Sequence, residues 1–250
     1  MRHRIPVAVV GAIALLAVAC GGDGGAGDEA TSGDKATSGD KATVGDEATA
    51  ATDLVGLFRV DPGQCAGAGV TAGTYFRMIQ PGGKPGEGPF VPNGDSPCGD
   101  KTFSPMSPGG DGGLVTGQFQ TQAAQPFDPG GNGVSARITT PTPFLAVRFA
   151  LASNEEDPQT KGKTKPPSVV VAGEKLSGDL SAVAASWNNQ HFNQGSPKPD
   201  GTRPGLTVGP TGTYDPTTKR YTLDWSSQIV SGPFNNFTGV WHLEGTFQSR

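Results

Sequence analysis

Two segments in the C-terminal quarter of the chain combine aromatic rings with amide side chains. Residues 187–195 read Trp-Asn-Asn-Gln-His-Phe-Asn-Gln-Gly, and residues 231–239 read Ser-Gly-Pro-Phe-Asn-Asn-Phe-Thr-Gly. Aromatic faces beside amide donors and acceptors suit the recognition of neutral polar ligands such as glycans. The alternative is that the rings pack into the core while the amides cap turns. The candidate ligand-binding residues are Trp187, Asn188, His191, Phe192, Asn193, Phe234, Asn236 and Phe237.

Motifs for catalysis are weak, and we assign no catalytic residue. The sequence has no Gly-x-Ser-x-Gly nucleophile elbow. Gly162-Lys163-Thr164 resembles the end of a nucleotide-binding P-loop, but Asp157 stands where that motif needs a glycine. A serine triad assembled in space stays open, as does a secreted hydrolase that uses a pair of Asp or Glu side chains.

Metal and cofactor sites are not predicted. The chain has three histidines, and His3 lies in the N-terminal leader, which leaves His191 and His242 far apart in sequence. Zinc sites need three or four His, Cys or carboxylate ligands. Asp128 to Gly133 partly mimics a calcium loop but lacks the acid at the third position and the glutamate at the twelfth, so plain turn chemistry is the simpler interpretation.

The charge distribution argues against nucleic acid as a partner. The chain has 19 Lys and Arg against 23 Asp and Glu, and the excess of acid is concentrated in residues 20–52. Residues 53–250 are almost neutral. Proteins that bind nucleic acid carry a basic surface that neutralises phosphates, and this chain has none.

The N-terminus has the three parts of a secretory signal peptide. Arg2, His3 and Arg4 precede an apolar run from Ile5 to Ala19, which is too short to span a bilayer. The run ends in Leu-Ala-Val-Ala directly before Cys20, and this ending resembles the lipobox of bacterial lipoproteins, although alanine stands at position 17 where leucine is usual. The resemblance implies cleavage before Cys20, a diacylglyceryl anchor on Cys20, and a protein that faces outward from the cell membrane.

Cys65 and Cys98 are the two remaining cysteines and lie 33 residues apart. Disulfides persist in exported proteins. A reactive thiol pair is the alternative, but the spacing is not Cys-x-x-Cys. We therefore expect a structural bridge that pins the segment rich in Gly and Pro between residues 81 and 97.

A six-residue repeat, Gly-Asp-(Glu/Lys)-Ala-Thr-x, occurs four times between residues 27 and 50. It has no apolar face, so we interpret residues 20–52 as a flexible linker behind the lipidated cysteine. The predicted organisation is a signal peptide over 1–19, this linker over 20–52, and one folded domain over 53–250.

The domain is predicted to be all-β. With 39 Gly and 22 Pro the chain disfavours long helices, and short apolar alternations recur between turn-forming residues. About ten such strands favour an antiparallel β-sandwich or a barrel-like fold. The predicted strands are 56–60, 74–80, 114–121, 134–139, 144–151, 168–172, 180–187, 211–214, 220–225 and 239–248, and residues 154–167 and 188–205 are predicted loops.

The region 71–247 also resembles exported bacterial proteins, and the stretch from Asp179 to Gly245 is similar to a C-terminal β-region found in various secreted proteins. No activity accompanies that resemblance. The expected function is non-enzymatic binding at the cell envelope, with an envelope glycan or a partner protein as the ligand. The alternatives are the secreted hydrolase and a structural envelope protein that has no small ligand.

Overall fold

The computed structural model describes residues 50–66 and 70–250. The predicted signal peptide, Cys20 and nearly all of the repeat linker lie outside the described residues. The strands are β1 (Thr52–Asp53), β2 (Gly56–Val60), β3 (Gln64–Ala66), β4 (Val70–Ala72), β5 (Tyr75–Lys84), β6 (Gly88–Phe90), β7 (Ser104–Pro105), β8 (Gly113–Val115), β9 (Thr142–Phe144), β10 (Val147–Ser153), β11 (Ser168–Ala172), β12 (Lys175–Asp179), β13 (Val183–Trp187), β14 (Gln190–Asn193), β15 (Val208–Tyr214), β16 (Arg220–Gln228) and β17 (Thr238–Ser249).

These strands form three antiparallel sheets, and the all-β prediction is confirmed. The largest sheet has eleven strands among the described residues. Eight of them follow the order β1-β11-β12-β15-β16-β17-β2-β8, and β5 joins this path at β17 and carries β6 and β7 as its own partners. The long strand β17 pairs with β2 through its C-terminal half and with β5 through its N-terminal half. The second sheet has the order β14-β13-β10-β9, and β3 pairs with β4 in a two-stranded sheet. No described segment is a helix that could cross a membrane.

The alternation of side chains in β16 and β17 explains why these strands form the centre of the large sheet. Tyr221, Leu223 and Trp225 are buried, and they alternate with half-exposed Thr222 and Asp224. In β17 the same alternation buries Trp241, Leu243 and Phe247. Because Leu223 pairs with Leu243 and Trp225 with Trp241, one face of the pair is continuously apolar.

The core lies where this apolar face meets the four-stranded sheet. Phe76 and Trp241 of the large sheet have ring centroids 4.4 Å apart. Phe76 is 5.4 Å from Phe144 in β9 and 5.2 Å from Phe149 in β10. Edge-to-face contacts of this kind add to the hydrophobic gain from burying the rings. The two sheets therefore form a sandwich with an aromatic centre.

The predicted disulfide is present between Cys65 in β3 and Cys98. The bridged segment includes β5 and β6, and the stretch between residues 81 and 97 contains several exposed residues. The bridge thus ties the stretch between residues 81 and 97, which contributes no buried apolar side chain to the core, to β3 near the start of the domain.

Several predicted segments differ from the structure. Of the predicted strand 114–121 only residues 114–115 lie in a strand, and of 180–187 only residues 183–187 do. Residues 144–151 are not one strand, because the chain reverses at Leu145 and Ala146, with φ of 54° and 66°, to form the β9–β10 hairpin. Residues 134–139 form no strand and bond to neighbours only at single points. The predicted loop 188–205 contains β14, an edge strand of the smaller sheet.

Candidate functional site

The two segments rich in aromatic and amide residues come together in space. The first forms the end of β13, a tight turn and β14, and the second is the connection between β16 and β17. The ring of Phe234 lies 5.2 Å from Trp187, 5.8 Å from Phe192 and 5.4 Å from Phe237. We call these four residues the aromatic cluster. Phe192 is buried, while the other three are half-buried, so the cluster joins the core to the surface.

Asn188 and Asn189 are the two central residues of the β13–β14 hairpin. Their φ angles are 48° and 58°, as a type I′ turn requires, and asparagine tolerates this left-handed conformation better than most residues. Asn236 also has a positive φ, of 69°, and its Oδ1 accepts a hydrogen bond from Gln228 Nε2 at 3.2 Å. Asn188 and Asn236 are exposed, and both shape turns.

Asn193 lies inside the protein and cannot meet a ligand from solvent. It is fully buried, and its Nδ2 donates to Asp157 Oδ1 and to the Ser181 carbonyl, both at 3.1 Å. Its Oδ1 accepts from Lys198 Nζ at 3.3 Å. Asn193 therefore organises a buried polar network, with partners that are distant in sequence.

His191 faces the surface beside the cluster. Its Nδ1 is 3.0 Å from Ser186 Oγ, and its ring is 5.0 Å from the ring of Phe127. Burial and the positive charge of Lys161 lower the pKa of His191 below its ordinary value, against an opposing effect of Asp157. The imidazole is thus neutral at neutral pH, and it offers one donor and one acceptor.

An open cleft of about 270 Å³ lies at this end of the sandwich. We call it the amide cleft, and its lining residues are Pro158, Gln159, Asn189, Gln190, His191, Phe192, Ser231 and Gly232. Gln159 links the two sides, since its Nε2 donates to Ser231 Oγ at 2.9 Å and its Oε1 accepts from Asn193 N at 2.6 Å. The cleft can offer amide, hydroxyl and imidazole groups to a polar ligand.

His191 and Phe192 are the predicted binding residues that line this cleft, and its other six lining residues were not predicted. Four of these six, Asn189, Gln190, Ser231 and Gly232, lie within the two aromatic and amide segments of the sequence, and that position was the signal that could have found them. Gln159 lies in the predicted loop 154–167, which has no aromatic–amide pattern. Its place in the cleft depends on a long-range contact with residue 231.

Lys198 is the central cation of the polar network beneath the cleft. It is only 5 % exposed, and its Nζ donates to Ser227 Oγ at 2.7 Å and to the Asn193 carbonyl at 3.1 Å. Burial lowers the pKa of Lys198 to about 8, although the charges of Asp157 and Asp200 oppose this shift. Asp157, which the sequence placed in a solvated loop, is fully buried and accepts hydrogen bonds from Thr160.

Carboxylate pairs occur on the outer face of the large sheet, and a basic side chain of the protein lies between the two carboxylates of each pair. Arg220 bridges Asp61 and Glu244, with 2.7 Å between its Nη2 and Glu244 Oε1. His242 lies 2.7 Å from Asp224 and 3.8 Å from Glu244. Burial lowers the pKa of His242, but the hydrogen bond and charge of Asp224 outweigh that effect and raise it overall.

The calcium-like segment 128–133 is a turn held by its own backbone. Asp128 Oδ1 accepts from Gly130 N at 2.8 Å and from Asn132 N at 2.9 Å. Hydrogen bonds from the Asn132 side chain and backbone lower the pKa of Asp128. Over residues 50–66 and 70–250, no group of three His, Cys, Asp or Glu side chains is arranged to hold a metal ion.

Comparison with protein-family models, curated proteins and solved structures found no match to this chain.

Proposed function

We propose that this chain is a surface lipoprotein whose β-domain binds a neutral polar ligand of the cell envelope, with a glycan as the leading class, without catalysing a reaction. The observation that supports the proposal is the meeting of two segments, at residues 189–192 and 231–232, in one open cleft.

The lipid anchor is the part of the proposal that depends on the lipobox at Cys20. A flexible linker over residues 21–52 would have a root-mean-square length of about 30 Å. That distance lifts a domain clear of the membrane surface and into the surrounding envelope. The domain itself is nearly neutral, which suits an uncharged ligand.

The chemistry of the amide cleft matches the needs of sugar hydroxyl groups. A hydroxyl donates one hydrogen bond and accepts others, and an amide side chain can serve both roles at once. Gln190, at the end of the hairpin, is half-buried, so its side chain is placed by the fold while it still reaches solvent. Asn189 beside it is exposed on a turn of fixed shape.

The test is a binding measurement with solubilised envelope polysaccharide fragments and the full chain. Gln190→Ala removes one amide from the cleft and should weaken binding about three- to tenfold, the usual net value of a hydrogen bond. Gln248→Ala is the matched control, because Gln248 is an exposed glutamine of β17 outside the cleft. Equal affinity of both variants, or no binding by the unaltered chain, would contradict the proposal.

A further inference from the structure

A small apolar cavity lies between the two sheets, next to the amide cleft. Its volume is about 30 Å³, and its walls include Phe76 and Trp241 from the large sheet and Phe144 and Phe149 from the smaller one. Gln194 is its polar lining residue, and both ends of that amide are engaged, with Trp241 Nε1 and with the Asn193 carbonyl. Because the lining is apolar apart from this one amide, and a buried water needs two to four polar partners, the cavity is expected to be dry.

Two of the residues that line this cavity reach solvent in the described part of the chain: Trp187 and Phe234. They therefore form its mouth. Trp187 is fixed by a hydrogen bond from its Nε1 to the Phe144 carbonyl at 2.8 Å. The carbonyl of Phe234 accepts a hydrogen bond from Phe237 N at 3.0 Å, but its side chain makes only apolar contacts, so this side chain is the movable side of the mouth.

Phe234 sits on a connection that is bonded mainly to itself. In residues 229–237, which we call the Phe234 loop, Ile229 N donates to the Phe237 carbonyl and Asn236 N donates to the Ile229 carbonyl, both at 2.8 Å. These two bonds close the base of the loop. The bond between Ser231 and Gln159 ties the middle of the loop to the rest of the domain. If the Phe234 loop pivoted about its base, its internal hydrogen bonds would remain, and the hydrogen bond between Gln159 and Ser231 would break.

The ring of Phe234 indicates what kind of group fits the mouth. It is one six-membered aromatic ring, surrounded by the rings of Trp187, Phe192 and Phe237. A pyranose at the same place would bury hydroxyl groups without partners, which costs free energy. An aryl group has no such cost and would gain the same edge and face contacts.

We propose that Phe234 is a displaceable plug, and that the space its ring vacates, together with the small cavity behind it, receives the aryl group of a ligand. The polar remainder of such a ligand would lie in the amide cleft, because Phe192 lines both spaces. This inference goes beyond the proposed function, since an aryl site can exist whether or not the cleft binds a glycan.

The test uses the full chain with benzene as the probe and intrinsic fluorescence as the readout. The chain has three tryptophans; Trp187 and Trp241 line the cavity, and Trp225 stacks on Trp241 at 5.8 Å. We expect a saturable change with the unaltered protein. In Phe234→Ala the mouth is always open, so the apparent affinity for benzene should rise about ten- to a thousandfold, the factor by which a minor open state of 0.1–10 % lowers it.

Phe103→Ala is the matched control, since Phe103 is a half-buried phenylalanine that packs on Tyr75 and Arg77 outside the cavity lining. It should bind benzene as the unaltered chain does. If the unaltered chain shows no saturable response, the proposal is wrong, even when Phe234→Ala binds benzene, because truncation alone would then have made the site. Glycan binding measured on the same samples separates this failure from a failure of the proposed function.

Discussion

At the scale of single residues, three ionisable side chains of the domain have pKa values that the fold shifts in two directions. Lys198 and His191 are shifted downward mainly by burial. His242 is shifted upward because Asp224 and Glu244 flank its ring. Sequence indicated none of these shifts, since each depends on partners that approach only in the fold.

The lowered pKa of Lys198 predicts that the free energy of unfolding of the domain rises with pH. Its folded pKa of about 8 lies below its ordinary value of 10.5, so between these values the unfolded chain binds more protons. The free energy of unfolding should therefore increase from about pH 8 towards pH 9.5, by on the order of 2 kcal/mol from this group. Lys198→Met should remove that increase, as followed by urea unfolding at several pH values. An unchanged slope in the variant would mean that Lys198 is not the group responsible.

The two histidines of the domain should titrate on opposite sides of the ordinary value of 6.5. His242, with its raised pKa, contributes stability that is complete below 6.5 and is lost as pH rises through its folded pKa. His191, with its lowered pKa, contributes stability that is complete above 6.5 and is lost on acidification.

An NMR titration of the imidazole carbon-bound protons measures both values, and His242→Gln assigns the signals. If the signal lost in that variant titrates below 6.5, the ion pairs of His242 with Asp224 and Glu244 do not form in solution.

At the scale of elements, the sequence predicts strands well where the pattern is local. The strand predicted over 220–225 is present as part of β16, where the local alternation places Tyr221, Leu223 and Trp225 on the buried face. The β9–β10 hairpin was missed because Leu145 and Ala146 adopt positive φ without any glycine or asparagine to signal a turn. The turn between β9 and β10 therefore depends on contacts with the rest of the fold and not on a local turn signal.

The disulfide supplies a testable contribution at this scale. Replacing Cys65 and Cys98 together by Ser should lower the free energy of unfolding by about 3–4 kcal/mol, the chain-entropy value for a closed loop of this size. Chemical denaturation of the variant and of the oxidised parent measures the difference. A loss well below 1 kcal/mol would show that contacts of the bridged segment already hold it in place.

At the scale of the whole molecule, the sequence indicated that two loops carry the candidate binding residues, and the fold brings the loops together. It could not indicate which amides face outward. Asn193 was predicted as a binding residue, but its side chain is buried and hydrogen-bonded to Asp157 and Lys198. Gln159, which lies in a different loop, lines the cleft. Polar side chains in a loop look alike in sequence, and only their long-range partners decide whether they are structural or exposed.

The central claim is that this domain binds a ligand in the amide cleft. The most direct measurement is an amide chemical-shift titration of the isotopically labelled chain with neutral envelope glycan fragments. We expect saturable shifts concentrated at Asn189, Gln190, His191, Ser231 and Gly232. Shifts confined to the outer face around Tyr75 and His242, or no shifts at millimolar ligand, would contradict it.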